Sequence, residues 1–134
     1  MKTTLLSFTT ICAFVGSYFM DLTANNIEQF MALVAVIFTD GFFGVWAGTK
    51  TEGFQTRKAV KVLQTLVVWI IMLTSLLMIE KGFDGTSWLS ETIMAPFIVF
   101  QLMSALKNAE RAGLIKNELL TIILNKFDKH KEIK

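Results

Sequence analysis

The stretch Phe30-Met-Ala-Leu-Val-Ala-Val-Ile-Phe-Thr-Asp-Gly-Phe-Phe-Gly-Val-Trp-Ala-Gly-Thr49 is an apolar run with one acid, Asp40, near its middle. About 20 residues of helix cross a hydrocarbon core roughly 30 Å thick, so the run has the length of a membrane span with Asp40 near its centre. That placement is costly. A central Asp opposes insertion by about 2.5 to 3.5 kcal/mol, whereas each Leu, Ile, Phe or Val favours it by about 0.3 to 0.6. Phe30, Leu33, Val34, Val36, Ile37, Phe38, Phe42, Phe43 and Val45 therefore only roughly offset the acid. The span inserts best if Asp40 is hidden from lipid.

The residues around the acid suggest how it is hidden. Asp40, Gly44 and Gly48 recur at every fourth position and share one helical face, with Gly41 and Ala47 beside them. Gly44-Val-Trp-Ala-Gly48 is a small-xxx-small step, which lets a second helix approach closely where lipid supplies no hydrophobic drive. Two roles stay open for Asp40. It is a satisfied hydrogen-bonder in a tight packing seam, or a polar point on a lumen or proton path.

Composition extends the membrane reading to the whole chain. Of 134 residues, 53% are hydrophobic, above the usage of a soluble domain even with Gly counted there. Residues 3–20 carry no charge and form a first span. Their apolar centre also has the form of a signal-peptide core, but no Ala-x-Ala-like site follows, so a retained helix is expected. Ala13 and Ser17, with Gly16 beside them, offer a thin surface on which the Asp40 helix could pack. Residues 21–29 read as a turn in which Asp21, Asn25 or Asn26 caps a helix end.

Residues 62–79 are the plainest span, uncharged throughout. Before them lies a polar loop holding Lys50, Arg57, Lys58 and Lys61, where Gly53 breaks the helix and Thr56 is the expected cap. Residues 80–90 form a turn with Phe83 and Trp88 at headgroup level. The fourth span, residues 88–106, begins with Ser90 as cap and Glu91 in its first turn, and contains Pro96, which removes a backbone bond and bends the rod. The expected division is a four-helix transmembrane domain over residues 1–106, with spans at 3–20, 30–49, 62–79 and 88–106, and a tail over residues 107–134.

In the tail, Asn117 and Glu118 open a helix whose Leu119, Leu120, Ile123, Leu124 and Phe127 share a face. Lys116, Lys126, Lys129, His130, Lys131 and Lys134 surround it. Such a basic amphipathic helix suits an anionic membrane surface or a neighbouring subunit. Placing the amino terminus, the Lys50-to-Lys61 loop and the tail on one side collects every Lys and Arg except Lys81. By the positive-inside rule that side is cytoplasmic. The fold class expected is thus an all-α membrane protein with four transmembrane helices, both termini inside, and a basic amphipathic cytoplasmic C-terminal helix.

The chemistry of enzymes is missing from the pattern. His130 is the only histidine and stands among lysines, and Cys12 is the only cysteine. No phosphate-binding loop, dinucleotide fingerprint, nucleophile elbow or zinc helix occurs. No catalytic residue, metal site or cofactor is expected, and nucleic acid is not an expected partner.

Asp40-Gly-Phe-Phe-Gly44, followed by Trp-Ala-Gly and a basic loop with Thr56-Arg57-Lys58, is similar to the Asp-x-x-x-Gly and basic-loop pattern of the bacteriophage holins of the toxin-secretion and phage-lysis type. Lys107-Asn-Ala-Glu-Arg-Ala-Gly113 resembles the Asn-x-x-x-x-Gly signature at which those proteins leave the membrane. The basic end, residues 126–134, looks like theirs too. Two departures are Gly41, where an aromatic often follows the acid, and Pro96 within the last span.

The resemblance implies a protein of the bacterial inner membrane that oligomerises and opens lesions for an endolysin or secreted protein, without binding that cargo specifically. On this reading Asp40, Gly41, Gly44, Gly48, Ala13 and Ser17 form the packing or lumen face. Asn108, Arg111, Gly113, Lys126, Lys129 and Lys131 belong to a tail that meets anionic lipid or a partner. Asp40 would be buried between helices before triggering and border the lumen afterwards. Two other functions compatible with the residues are a membrane scaffold that recruits a partner through its tail, and a small ion channel with Asp40 setting cation preference.

Overall fold

The computed structural model describes residues 1–132, with side chains through His130. Among these residues the chain is wholly helical: α1 Lys2–Asn25, α2 Ile27–Glu52, α3 Thr56–Gly82, α4 Leu89–Arg111 and α5 Asn117–Glu132. The first four are each long and apolar enough to cross a membrane. Lys131 has no described side chain and Lys134 lies outside the described residues, so the expectations placed on them go no further.

Every span is longer than its apolar run, because polar residues at the ends continue the helical hydrogen bonds into the boundary region. The expected turn at 21–29 shrinks to Asn26 alone, which ends α1 and begins α2 with φ −122° and ψ 25°. Its side-chain amide turns back to donate to the Leu22 carbonyl at 2.9 Å and so caps nothing in α2. Thr56 is likewise the first residue of α3 rather than its cap, and Gln55 precedes it without a capping side-chain bond. At α4 the cap comes from another helix: Glu80 of α3 accepts the Ser90 backbone N–H. Ser90 itself is buried within the first turn. A carboxylate there meets both an orphan donor and the positive end of the helix. Pro96 lies inside α4, whose helix continues past it.

The core lies between α2, α3 and α4. Leu33, Val36 and Ile37 of α2 bury against Leu73, Leu76 and Leu77 of α3 and Met94 of α4. Trp69 stacks on Phe97 at its edge, with ring centroids 3.4 Å apart. The largest helix contact is α2 on α4, where Ala105, Ala109 and Ala112 are all buried. Ala105 and Ala109 lie on α4 and Ala112 caps its end, and small residues of this kind allow a close helix approach.

Helix α1 stands apart. From Met1 to Ser17 every residue is exposed, and only Tyr18 and Leu22 join the core. Its last turns are held by Lys81, which pairs with Asp21 at 3.5 Å and lies 4.7 Å over the Tyr18 ring. The expected packing of Ala13 and Ser17 on the Asp40 helix is therefore not found. Both are exposed, and Gly16 between them has no neighbour within 4 Å of a Cβ. The one-residue break at Asn26 brings only the end of α1 to the bundle, so its small-residue surface never reaches α2.

Candidate functional site

Asp40 and Asn108, which stand 68 positions apart, meet in the bundle. The Asn108 side-chain amide donates to Oδ1 of Asp40 at 2.9 Å in a partly buried setting. The bond joins α2 to the last turn of α4. Gly44, one turn after Asp40, leaves room for it: a Cβ there would stand 3.3 Å from Nδ2 of Asn108. Among the described residues, no buried side-chain N or O atom lacks a partner.

The glycine face divides between neighbours. A Cβ on Gly41 would come within 2.5 Å of a methyl of Val62 on α3, so this side chain packs directly on the glycine. Gly44 faces Asn108 of α4. A Cβ on Gly48 would meet only the Lys58 ammonium end, at 2.8 Å. The small-xxx-small pair Gly44/Gly48 thus marks the right face, but the tightest point is Gly41. The Ala105-x-x-x-Ala109 step on α4, also small-xxx-small, was legible in the sequence by the same rule.

Depth is where the structure departs most from expectation. Asp40 lies halfway along α2, yet its layer contains Val62, at the start of the uncharged run of α3, and Asn108, beyond the apolar run of α4. Lys61, Thr65 and Gln101 share with Asp40 a cavity of about 200 Å³. The acid is therefore level with the polar ends of two neighbouring spans rather than with their middles. This lowers its desolvation cost, which is greatest at mid-bilayer. Beyond the layer α2 runs on through Phe42 and Trp46, 58% and 42% exposed, whose rings meet edge to face at 5.4 Å. Such aromatics suit the headgroup boundary.

The basic residues of this end have distinct positions. Lys50 donates to the Ala112 carbonyl at the end of α4, a second tie between α2 and α4. Lys58 pairs with Glu52 at 3.2 Å, with both side chains well exposed. Arg57 and Arg111 are exposed. Gly113 turns the chain out of α4 with φ +78°, a conformation open to glycine at no steric cost. Helix α5 then doubles back on α4, with Lys126 and Lys129 exposed along it.

No three His, Cys, Asp or Glu side chains among the described residues gather so as to hold a metal. What the arrangement provides is a polar latch between α2 and α4 beside a small polar cavity. No curated protein and no solved structure matches the chain. The model of the bacteriophage holin family matches residues 9–129. That span holds both partners of the latch, the basic loop and nearly the whole helical bundle, and the chain belongs to the bacteriophage holin family.

Proposed function

We propose that the chain assembles with copies of itself in the bacterial inner membrane and permeabilises it, releasing an endolysin or a secreted protein. The observation that carries this reading is the family match over residues 9–129. Family membership also implies a non-enzymatic membrane protein. Surface chemistry supports assembly in a bilayer: Leu5, Phe8, Ile11 and Phe14 of α1 and Val67, Val68 and Ile71 of α3 are all exposed. Surface of this kind needs lipid or another subunit. The uncovered Ala13, Gly16 and Ser17 give a second copy a place for close helix contact.

Both termini lie in the cytoplasm in this proposal. Lys50, Arg57, Lys58, Lys61, Lys107 and Arg111 gather where α2 and α4 end and α3 begins. At the other end Lys81 is already paired with Asp21, so the positive-inside rule orients the bundle. The basic end faces the anionic headgroups of the inner leaflet. The cargo passes through the lesion without a binding site.

Induced expression in a bacterial host tests the reading. Abrupt loss of respiration with release of a cytoplasmic reporter protein is the expected outcome. Depolarisation without protein release would instead indicate an ion channel, and uninterrupted growth a scaffold.

A further inference from the structure

Helices α3 and α4 touch each other less than either touches α2. Trp69 stacks on Phe97 where the two meet. One turn nearer the basic end, Thr65 of α3 and Gln101 of α4 line the cavity of about 200 Å³, with Asp40 and Gly41 of α2 and Lys61 of α3. Asp40 and Lys61 each adjoin a residue of the Gly41–Val62 contact. A rise of about 1.5 Å per residue therefore sets the two charges at nearly the same depth.

Three acceptor oxygens line this space. Asn108 engages only Oδ1 of Asp40, which leaves Oδ2. The Thr65 hydroxyl donates to the Lys61 carbonyl at 2.9 Å, and its oxygen keeps lone pairs to accept. Gln101, half-buried, adds an amide oxygen. The one cation lining the cavity is Lys61, which forms no ion pair among the described residues. A simple anion would meet the Asp40 carboxylate, and a simple cation the Lys61 ammonium. A group that carries both charges suits both. A primary ammonium brings three N–H donors for the three acceptors, and a phosphate pairs with the lysine. The volume suits a headgroup rather than a drug-sized molecule.

We propose that this cavity holds the phosphoethanolamine headgroup of a membrane lipid, with its ammonium on Asp40, Thr65 and Gln101 and its phosphate on Lys61. Pockets between membrane helices at the cytoplasmic side are where lipid headgroups bind, and this one lies at the polar ends of α3 and α4. A choline headgroup has no N–H to donate, and a glycerol headgroup has no ammonium. The bound lipid would tie α2 to α3 at the level where Asn108 ties α2 to α4. The proposal rests on these helices spanning a bilayer and is independent of the lesion.

Native mass spectrometry of the full chain in detergent tests it, with equal amounts of dioleoyl phosphatidylethanolamine, phosphatidylcholine or phosphatidylglycerol added. The ethanolamine lipid is expected to be retained severalfold more than the other two. Lys61→Met and Gln101→Leu should each lower its retention to the choline level, whereas Lys61→Arg keeps the preference. Equal retention of ethanolamine and choline lipids by the unaltered chain would overturn the assignment without reliance on any variant. A preference that survives both Lys61→Met and Gln101→Leu would place the lipid elsewhere and overturn it as well. Soluble glycerophosphoethanolamine at equal concentration should not displace the lipid; displacement would make the free headgroup the ligand and overturn the lipid as its source. Failure of the lesion reading in the expression assay would leave these retentions unchanged, so the two results are distinct.

Discussion

The Asn108 amide donates to Oδ1 of Asp40 at 2.9 Å, so the two sequence motifs that stand furthest apart in the bundle form one contact. A hydrogen bond contributes about 0.5 to 1.5 kcal/mol net in water-soluble proteins, and polar pairs between membrane helices average about 0.6 kcal/mol. The partly buried setting at the polar end of the spans argues for a value of about 1 kcal/mol. Asp40→Leu and Asn108→Leu should each weaken the bundle, and the double variant should cost less than their sum. Unfolding in detergent gives the coupling energy, and strictly additive effects would show that the contact carries none. Asp40→Asn should also shift the time of lysis at equal expression; unchanged timing would remove the acid from the mechanism.

The three glycines of α2 should differ sharply in their tolerance of a methyl group. Gly41→Ala drives a Cβ into Val62 and should destabilise the bundle by about 1 to 3 kcal/mol, the usual cost of overpacking. Val62→Ala should restore much of that loss. Gly48→Ala displaces only the mobile end of Lys58 and should be nearly neutral. Comparable losses at Gly41 and Gly48 would contradict the packing described.

Glu80 is the acceptor for the Ser90 N–H at the start of α4. Glu80→Ala should cost about 0.5 to 2 kcal/mol, the range for losing a helix cap, whereas Glu91→Ala, an exposed position in the same turn, should cost much less. Hydrogen exchange of the first α4 amides provides the local measurement. Equal protection in both variants would rule out the cap.

At Gly113 a side chain meets backbone strain rather than a clash. With φ +78°, Gly113→Ala should cost about 1 to 2 kcal/mol, the penalty of the left-handed region for other residues. Its effect should concentrate on the return of α5 along α4. Cross-linking between cysteines placed at Val99 and Phe127, in a Cys12→Ser chain, measures that return. Undiminished cross-linking in the Gly113→Ala variant would show that the hinge does not depend on glycine.

The sequence alone determined the membrane class, the four spans and the special position of Asp40, because hydropathy over a span and spacing along a helix are local properties. It also marked Asn108 and Gly113 as a unit after the last span. Tertiary structure decided what these residues do. The depth of Asp40 depends on how α2 is set against α3 and α4, and no pattern within residues 30–49 contains that register. The partner of its carboxylate lies on another helix, as does the cap of α4. The separation of α1 follows from the geometry of a single break at Asn26, which leaves Ala13 and Ser17 uncovered although their spacing suits close packing. The return of α5 along α4 is likewise a tertiary choice, since the same amphipathic stripe fits a lipid surface, a neighbouring subunit or its own chain.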